Sequence, residues 1–330
     1  MKHRLLLVLL FVLLTSHDMY LKLDSYFLEP DTWATIDLFN GTFEKSENVI
    51  ARNRMTDVSL VGNGTRTAVD TTMWTEKDSI TTLKFKTGEA GTWIAGVSTR
   101  PRNIELSAAD FNSYLEHDGV LDMLQWRKEN GAMEQDAVEK YSKHVKTLFQ
   151  VGDQTSEDWK TILGYPIEFV PLENPYDLHP GHDLRVQLLR QGEPLADQLV
   201  YVGSVASDHD HDGDHTHPDA ADHDHEAGES HQHTDAAPLR TDAEGTVRVK
   251  LTDEGTWYLR TIHMELSEAP GLTHESNWAT LTFAVGQGHS HTHEDAAHDH
   301  GDETGIPSYV YWIGSLLLLA GLFFWFKRKS

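Results

Sequence analysis

The stretch Asp183-Leu184-Arg185-Val186-Gln187-Leu188-Leu189-Arg190-Gln191-Gly192-Glu193-Pro194 decides how the chain folds. Leu184, Val186 and Leu188 alternate with polar residues, so a strand places all three on one buried face, and Gln191-Gly192-Glu193-Pro194 supplies the turn that ends it. The same pattern extends in both directions. Ile167 and Phe169 lie on a strand that stops before Pro171, and residues 199–202 form the next apolar run. Further on, Asp242-Ala243-Glu244-Gly245 is a turn, Val247, Val249 and Leu251 alternate, Gly255-Thr256-Trp257 opens a strand to Ile262, and 278–285 is a last apolar run. About six short strands predict a β-sandwich over residues 165–285.

Residues 17–164 read as a first β-rich domain. Met19, Leu21 and Leu23 alternate with polar neighbours, Ala34, Ile36 and Leu38 do so before Asn40-Gly41, and 92–97 is apolar throughout. Ser107 and Asp110 form an N-terminal capping pair ahead of Phe111, Tyr114 and Leu115, which share one helical face, and 121–128 predicts a second helix. Amphipathic spacing of this kind signals packing and implies no catalysis. Gly91-Thr92-Trp93 matches Gly255-Thr256-Trp257, each after an acidic turn; related sandwiches and a coincidence of two glycine turns both account for it. The expected fold is mainly β: two β-sandwich domains, the first with one or two helices, plus a C-terminal transmembrane helix.

Both ends carry membrane-targeting patterns. Lys2 and Arg4 precede an apolar run at 5–14, and Ser16 offers a cleavage point, so 1–16 reads as a signal peptide; Leu14 at the third position before the cut leaves an uncleaved anchor as the alternative. Residues 309–326 hold no charge and span about 27 Å as a helix, with Tyr309, Tyr311 and Trp312 at one edge and Trp325 at the other. A transmembrane helix is therefore expected over 308–326. Lys327, Arg328 and Lys329 place the tail 327–330 in the cytoplasm, so the bulk of the chain is expected outside the inner membrane on a single span.

Composition excludes several functions. Across 330 residues, 27 Lys and Arg face 52 Asp and Glu, and a net charge of -25 repels nucleic acid. Cysteine is absent, which removes disulfides, thiolate metal sites and cysteine nucleophiles, so any metal must be held by nitrogen and oxygen. No Gly-x-Ser-x-Gly, P-loop or dinucleotide fingerprint occurs, so no catalytic residue is assigned and an enzyme is not expected. The residual enzymatic alternative is copper chemistry at an N-terminal histidine.

Histidine carries the functional signal. Of 21 histidines, eight lie in the insertion 207–237: His209, His211, His215, His217, His223, His225, His231 and His233, interleaved with Asp208, Asp210, Asp212, Asp214, Asp222, Asp224 and Glu226. Imidazole suits Ni, Co, Zn and Cu, and neighbouring carboxylates favour gathering a cation. A tract without supporting partners resembles a chelating buffer more than one fixed site. The tether 286–307 repeats the chemistry with His289, His291, His293, His298 and His300, and its span of about 25 Å would keep ions near the membrane. A solvated, charged linker is the bland alternative for the insertion, and a simple stalk for the tether. Asp208, Asp210, Asp212, Gly213 and Asp219 fall on calcium-loop positions, but Pro218 and the missing flanking helices make calcium the lesser candidate. His293-Glu294 followed by His298 is one residue too long for the helical zinc-protease motif.

His17 is a separate candidate. A cut after Ser16 makes it the first residue, joining a free α-amine to its imidazole, and a cut after Leu14 makes it the third; either terminus suits Cu or Ni. The partners available outside the tracts are His117, His144, His179, His182 and His263. An incidental histidine at a processing site is the plain alternative.

His17-Asp18-Met19-Tyr20, Leu28-Glu29-Pro30, Tyr141-Ser142-Lys143 leading to Gln150-Val151-Gly152, Ile167-Glu168-Phe169-Val170-Pro171-Leu172, Gly192-Glu193-Pro194-Leu195, Thr241-Asp242-Ala243-Glu244-Gly245 and Gly255-Thr256-Trp257, in that order, resemble the bacterial periplasmic domain-of-unknown-function family 4198 over about residues 17–285. The resemblance implies a role associated with nickel and cobalt uptake, and a C-terminal sandwich like the prealbumin-type regulatory domains of carboxypeptidases. The expected function is thus a membrane-anchored extracytoplasmic metal-binding protein that delivers Ni, Co or Zn to a membrane uptake component. A metal buffer or chaperone linked to efflux, and a structural envelope interaction module, are the alternatives.

Overall fold

The computed structural model describes residues 18–206 and 237–286. The expected signal peptide, His17, the insertion but for its last residue, nearly all of the tether, the expected transmembrane segment and the tail lie outside the described residues. Among the described residues no helix is long and apolar enough to cross a membrane.

The first half runs β1 (Asp18–Lys22), β2 (Phe27–Leu28), β3 (Trp33–Gly41), β4 (Met55–Gly62), β5 (Thr65–Ala68), β6 (Trp74–Lys77), β7 (Ile80–Lys86), β8 (Gly91–Thr99), β9 (Arg102–Leu106), α1 (Ala108–His117), α2 (Leu121–Glu129) and β10 (Ala137–Val151). The second half runs β11 (Ile167–Pro171), β12 (Asp183–Arg190), β13 (Glu193–Pro194), β14 (Leu199–Ala206), β15 (Ala237–Arg240), β16 (Thr246–Lys250), β17 (Gly255–Leu266) and β18 (His274–Val285). The chain is mainly β in a layered, sandwich-like arrangement. A ten-stranded sheet ordered β15-β14-β17-β18-β10-β8-β4-β5, with β2 and β9 also on β10, forms the central layer. One four-stranded sheet, β1-β3-β7-β6, packs on one face, and a second, made of β11, β12, β13 and β16, packs on the other.

The two halves do not close separate sheets. Residue 164, the expected boundary, lies in the connection before β11, whereas β10 from the first half pairs in parallel with β18 from the second, Glu139 opposite His274 through Thr147 opposite Thr282. β10 is buried on both faces, as parallel pairing inside a layered body requires. Its odd-numbered side Val145, Phe149 and Val151 joins the core with β1, β3 and β7, while Leu148 joins the core with β11, β12 and β16. On that second side Lys146 Nζ meets Glu168 Oε2 at 3.0 Å, both side chains 1% exposed. Glu168 also accepts from the backbone N–H groups of Leu163, Gly164 and Tyr165 at 2.9, 2.7 and 3.1 Å, and Lys146 donates to Phe169 O at 2.8 Å. Burial pushes the Lys146 pKa down, against the Glu168 charge that supports it. A buried pair so fully hydrogen-bonded fixes the expected boundary against the central sheet instead of leaving it a linker.

The two Gly-Thr-Trp segments occupy equivalent places. Gly91 and Gly255 open the long strands β8 and β17 of the same sheet, and each tryptophan Nε1 donates to the carbonyl four residues upstream, Trp93 to Glu89 at 3.2 Å and Trp257 to Asp253 at 3.1 Å. Ser107 caps α1 as its spacing predicts, accepting from Asp110 N at 3.2 Å.

Candidate functional site

β1 enters the body beside a cluster of buried charges. Its first residue, Asp18, is 1% exposed although it is a carboxylate among apolar neighbours, and Arg260 on β17 is 3% exposed. Arg260 Nε lies 3.4 Å from Asp18 Oδ2, which also accepts from Tyr20 OH at 3.1 Å. Arg260 Nη1 donates to the carbonyl of Asp118, at the end of α1, at 3.1 Å, and its guanidinium lies over Tyr201, 4.6 Å from the ring centroid. Tyr201 OH closes the rim by donating to Gly119 O at 3.0 Å. Burial alone would lower the Arg260 pKa, but Asp18, Tyr20, Asp118 and Tyr201 together raise it, so the guanidinium is fixed as a cation.

The cluster continues along β10, whose Glu139 and Lys143 share one face at spacing four. Lys143 Nζ donates to Asn40 Oδ1 at 3.3 Å and sits 4.6 Å from the Trp278 ring centroid. Burial lowers its pKa to about 8, with Asp18 and Asp118 the leading opposing charges. Glu139 accepts from Tyr114 OH at 3.2 Å and from the Ser276 hydroxyl. Burial raises its pKa to about 7, partly offset by these two bonds and by Lys143. An acid and an amine that both titrate near neutrality thus lie on one strand face, roofed by α1 and by β1. Sequence reading missed Asp18, Asp118, Glu139, Lys143 and Arg260; four of them are charges at strand positions, and Asp118 ends α1, so only long-range packing shows that they are enclosed.

The histidines divide by sheet face. His144 lies on the face of β10 opposite Lys143, with Nδ1 2.9 Å from Ser98 Oγ and Nε2 3.0 Å from Ser142 Oγ. Because Ser142 Oγ donates to Asn277 Oδ1 at 3.0 Å, it accepts from His144 Nε2–H, and Nδ1 in turn accepts from Ser98. Both ring nitrogens are used, and burial lowers the pKa to about 4. His263 is likewise on the far face from Asp18, its Nδ1 2.9 Å from Gln198 Oε1 and its pKa lowered by burial. Strand alternation thus turns both His144 and His263 toward the layer opposite Asp18. His117 ends α1 next to Asp118, exposed, with Nδ1 donating to Ser113 O at 2.7 Å. His274, absent from the sequence-based candidates, is 3% exposed against Phe111; its Nδ1 is 2.7 Å from Thr273 Oγ1, its Nε2 has no hydrogen-bond partner, and burial lowers its pKa to about 4. His179 and His182 face each other across a turn, ring centroids 6.1 Å apart.

Among the described residues no group of three or more His, Asp or Glu side chains converges as a metal site. His209, His211, His215, His217, His223, His225, His231, His233, His289, His291, His293, His298, His300 and His17 all lie outside them. The strands that carry the first tract are described: β14 pairs with β15 antiparallel from Leu199 opposite Arg240 to Val202 opposite Ala237. Ala237 therefore belongs to a strand and not to the insertion, which is flanked by the end of β14 at Ala206 and the start of β15.

A family model described as Domain of unknown function (DUF4198) matches residues 14–265. No curated protein matches the sequence. Among solved structures, the D0-D1 domain of intimin is 11% identical, with 81% of this chain and 97% of that chain covered at a TM-score of 0.18. Trypsin-activated alpha-2-macroglobulin from Escherichia coli is 8% identical, covering 81% of this chain and 15% of that chain at 0.19. A DUF4785 family protein from Legionella pneumophila is 11% identical, covering 73% and 51% at 0.21. Scores this low carry no argument about fold or activity.

Proposed function

The chain belongs to the DUF4198 family, and from that premise we propose that it is a membrane-anchored, extracytoplasmic protein that binds divalent transition metals, Ni, Co or Zn, and presents them to a membrane uptake component. The reading rests on one observation: thirteen of the 21 histidines, eight in one tract and five in the other, are concentrated with Asp and Glu in two short stretches of the sequence. The first tract lies in the sequence between β14 and β15, which pair from Leu199–Arg240 to Val202–Ala237 at the edge of the central sheet, a position where added chain is commonly accommodated. The apolar segment 308–326 followed by Lys327, Arg328 and Lys329 supports anchoring with the body outside, and 1–16 supports export. Metal release should follow protonation of imidazole, and the neighbouring carboxylates raise the pH at which it begins. Growth of cells carrying a chain without both tracts tests the direction of transport. An uptake role predicts a higher requirement for external metal. Lost tolerance to excess metal would instead establish buffering, and unchanged growth in both regimes would overturn the reading.

A further inference from the structure

The turn His179-Pro180-Gly181-His182 carries two exposed imidazoles that the fold does not use in its core. Its backbone is held at four points. His182 N donates to His179 O at 3.1 Å, Pro180 fixes its own φ, Gly181 adopts φ 96° where a side chain would be strained, and the turn is clamped to the end of β16 by Gly181 N to Leu251 O at 2.6 Å and Leu251 N to His182 O at 2.9 Å. The His182 ring is oriented as well. Its Nδ1 lies 3.1 Å from His179 N and 3.0 Å from His179 O. Nδ1 accepts from the His179 N–H and is turned to the backbone, so Nε2 is the atom left to a ligand, and a metal bound there selects the tautomer in which the Nδ1 proton passes to His179 O. The ring centroids stand 6.1 Å apart at 46°. Two imidazoles on one ion, with metal–nitrogen bonds of about 2.1 Å, place their centroids roughly 4.5 to 6.4 Å apart as the angle at the metal opens from cis to trans. The observed separation of 6.1 Å falls within that range.

We propose that His179 and His182 form a two-imidazole site for a late divalent transition metal on the folded body, its remaining positions filled by water. The site is independent of the histidine tracts and goes beyond the function proposed above. His117 provides an internal control, an exposed lone imidazole whose Nδ1 is held by Ser113 O at 2.7 Å. A rigid pair gains over a single imidazole because the second bond forms within one molecule, so loss of either ring should weaken binding about tenfold.

The test is carbethoxylation of histidines in the full-length chain, with and without Ni(II) alone, read peptide by peptide by mass spectrometry. His179 and His182 should become protected together, at a Ni(II) concentration that leaves His117 reactive. The variant His179→Ala should shift protection of His182 to about tenfold more Ni(II) while leaving the tract peptides as they were. If His179 and His182 react like His117 at every Ni(II) concentration, or if His182 stays protected in His179→Ala, the two-imidazole site does not exist. Tract peptides in the same digest report on the wider reading separately, so either can fail alone.

Discussion

Replacing Glu139 with Gln should remove one specific component of the pH dependence of folding. The carboxyl is held near pKa 7 by burial, against an ordinary value of 4.5. Between those values the folded chain keeps a proton that the unfolded chain releases, so this group contributes stability in acid and loses it as pH rises through 7. Over about pH 5 to 7 the loss amounts to about 2 kcal/mol. Gln keeps the shape and an oxygen acceptor for Tyr114 OH and the Ser276 hydroxyl, but does not titrate. His144 and His274 act in the opposite sense, because burial lowers each from 6.5 to about 4 and their contribution grows with pH across that window. Their effect is common to both proteins and cancels in the difference. Lys143, lowered to about 8, stays mostly protonated throughout. Urea denaturation of both proteins at about pH 5, 6 and 7, followed by tryptophan fluorescence, should show Glu139→Gln gaining about 2 kcal/mol relative to the native chain from the lowest pH to the highest. Parallel pH profiles would refute the buried, neutral-biased carboxyl.

The remaining structural predictions concern packing. Lys146→Met strands the Glu168 carboxylate in the core and should cost about 3 to 5 kcal/mol in urea denaturation, with Glu168→Gln in the same chain recovering part of the loss. At Gly62 an added Cβ would sit 2.2 Å from the Trp93 ring. Gly62→Ala must therefore displace that indole, at a cost of about 1 to 3 kcal/mol in denaturation and with a changed near-UV circular dichroism signal.

Legibility in the sequence followed alternation. Leu184, Val186, Leu188, Val247 and Val249 read correctly because β12 and β16 bury one face and leave Arg185 and Arg248 outside. β1 was legible as a strand, but its polar partners Asp18 and Tyr20 are buried too, since the strand lies between layers. β10 was the hardest to read. Glu139, Lys143 and Lys146 look like solvated charges along the chain, and only the parallel pairing with β18 and the contacts to Tyr114, Asn40 and Glu168 show that they are enclosed. Long-range pairing leaves no local trace, which is why one shared sheet was read as two sandwiches. For the same reason the partners of a histidine on a strand could not be told from its spacing: a one-residue step sends His144 and Lys143 to opposite layers.

The most direct measurement is a calorimetric Ni(II) titration of the full-length chain beside a variant in which all thirteen tract histidines are Asn. The native chain should bind several equivalents and the variant lose most of them, with binding by the native chain already weakening as pH falls toward about 6.5. Equal stoichiometry in the two proteins would contradict this reading.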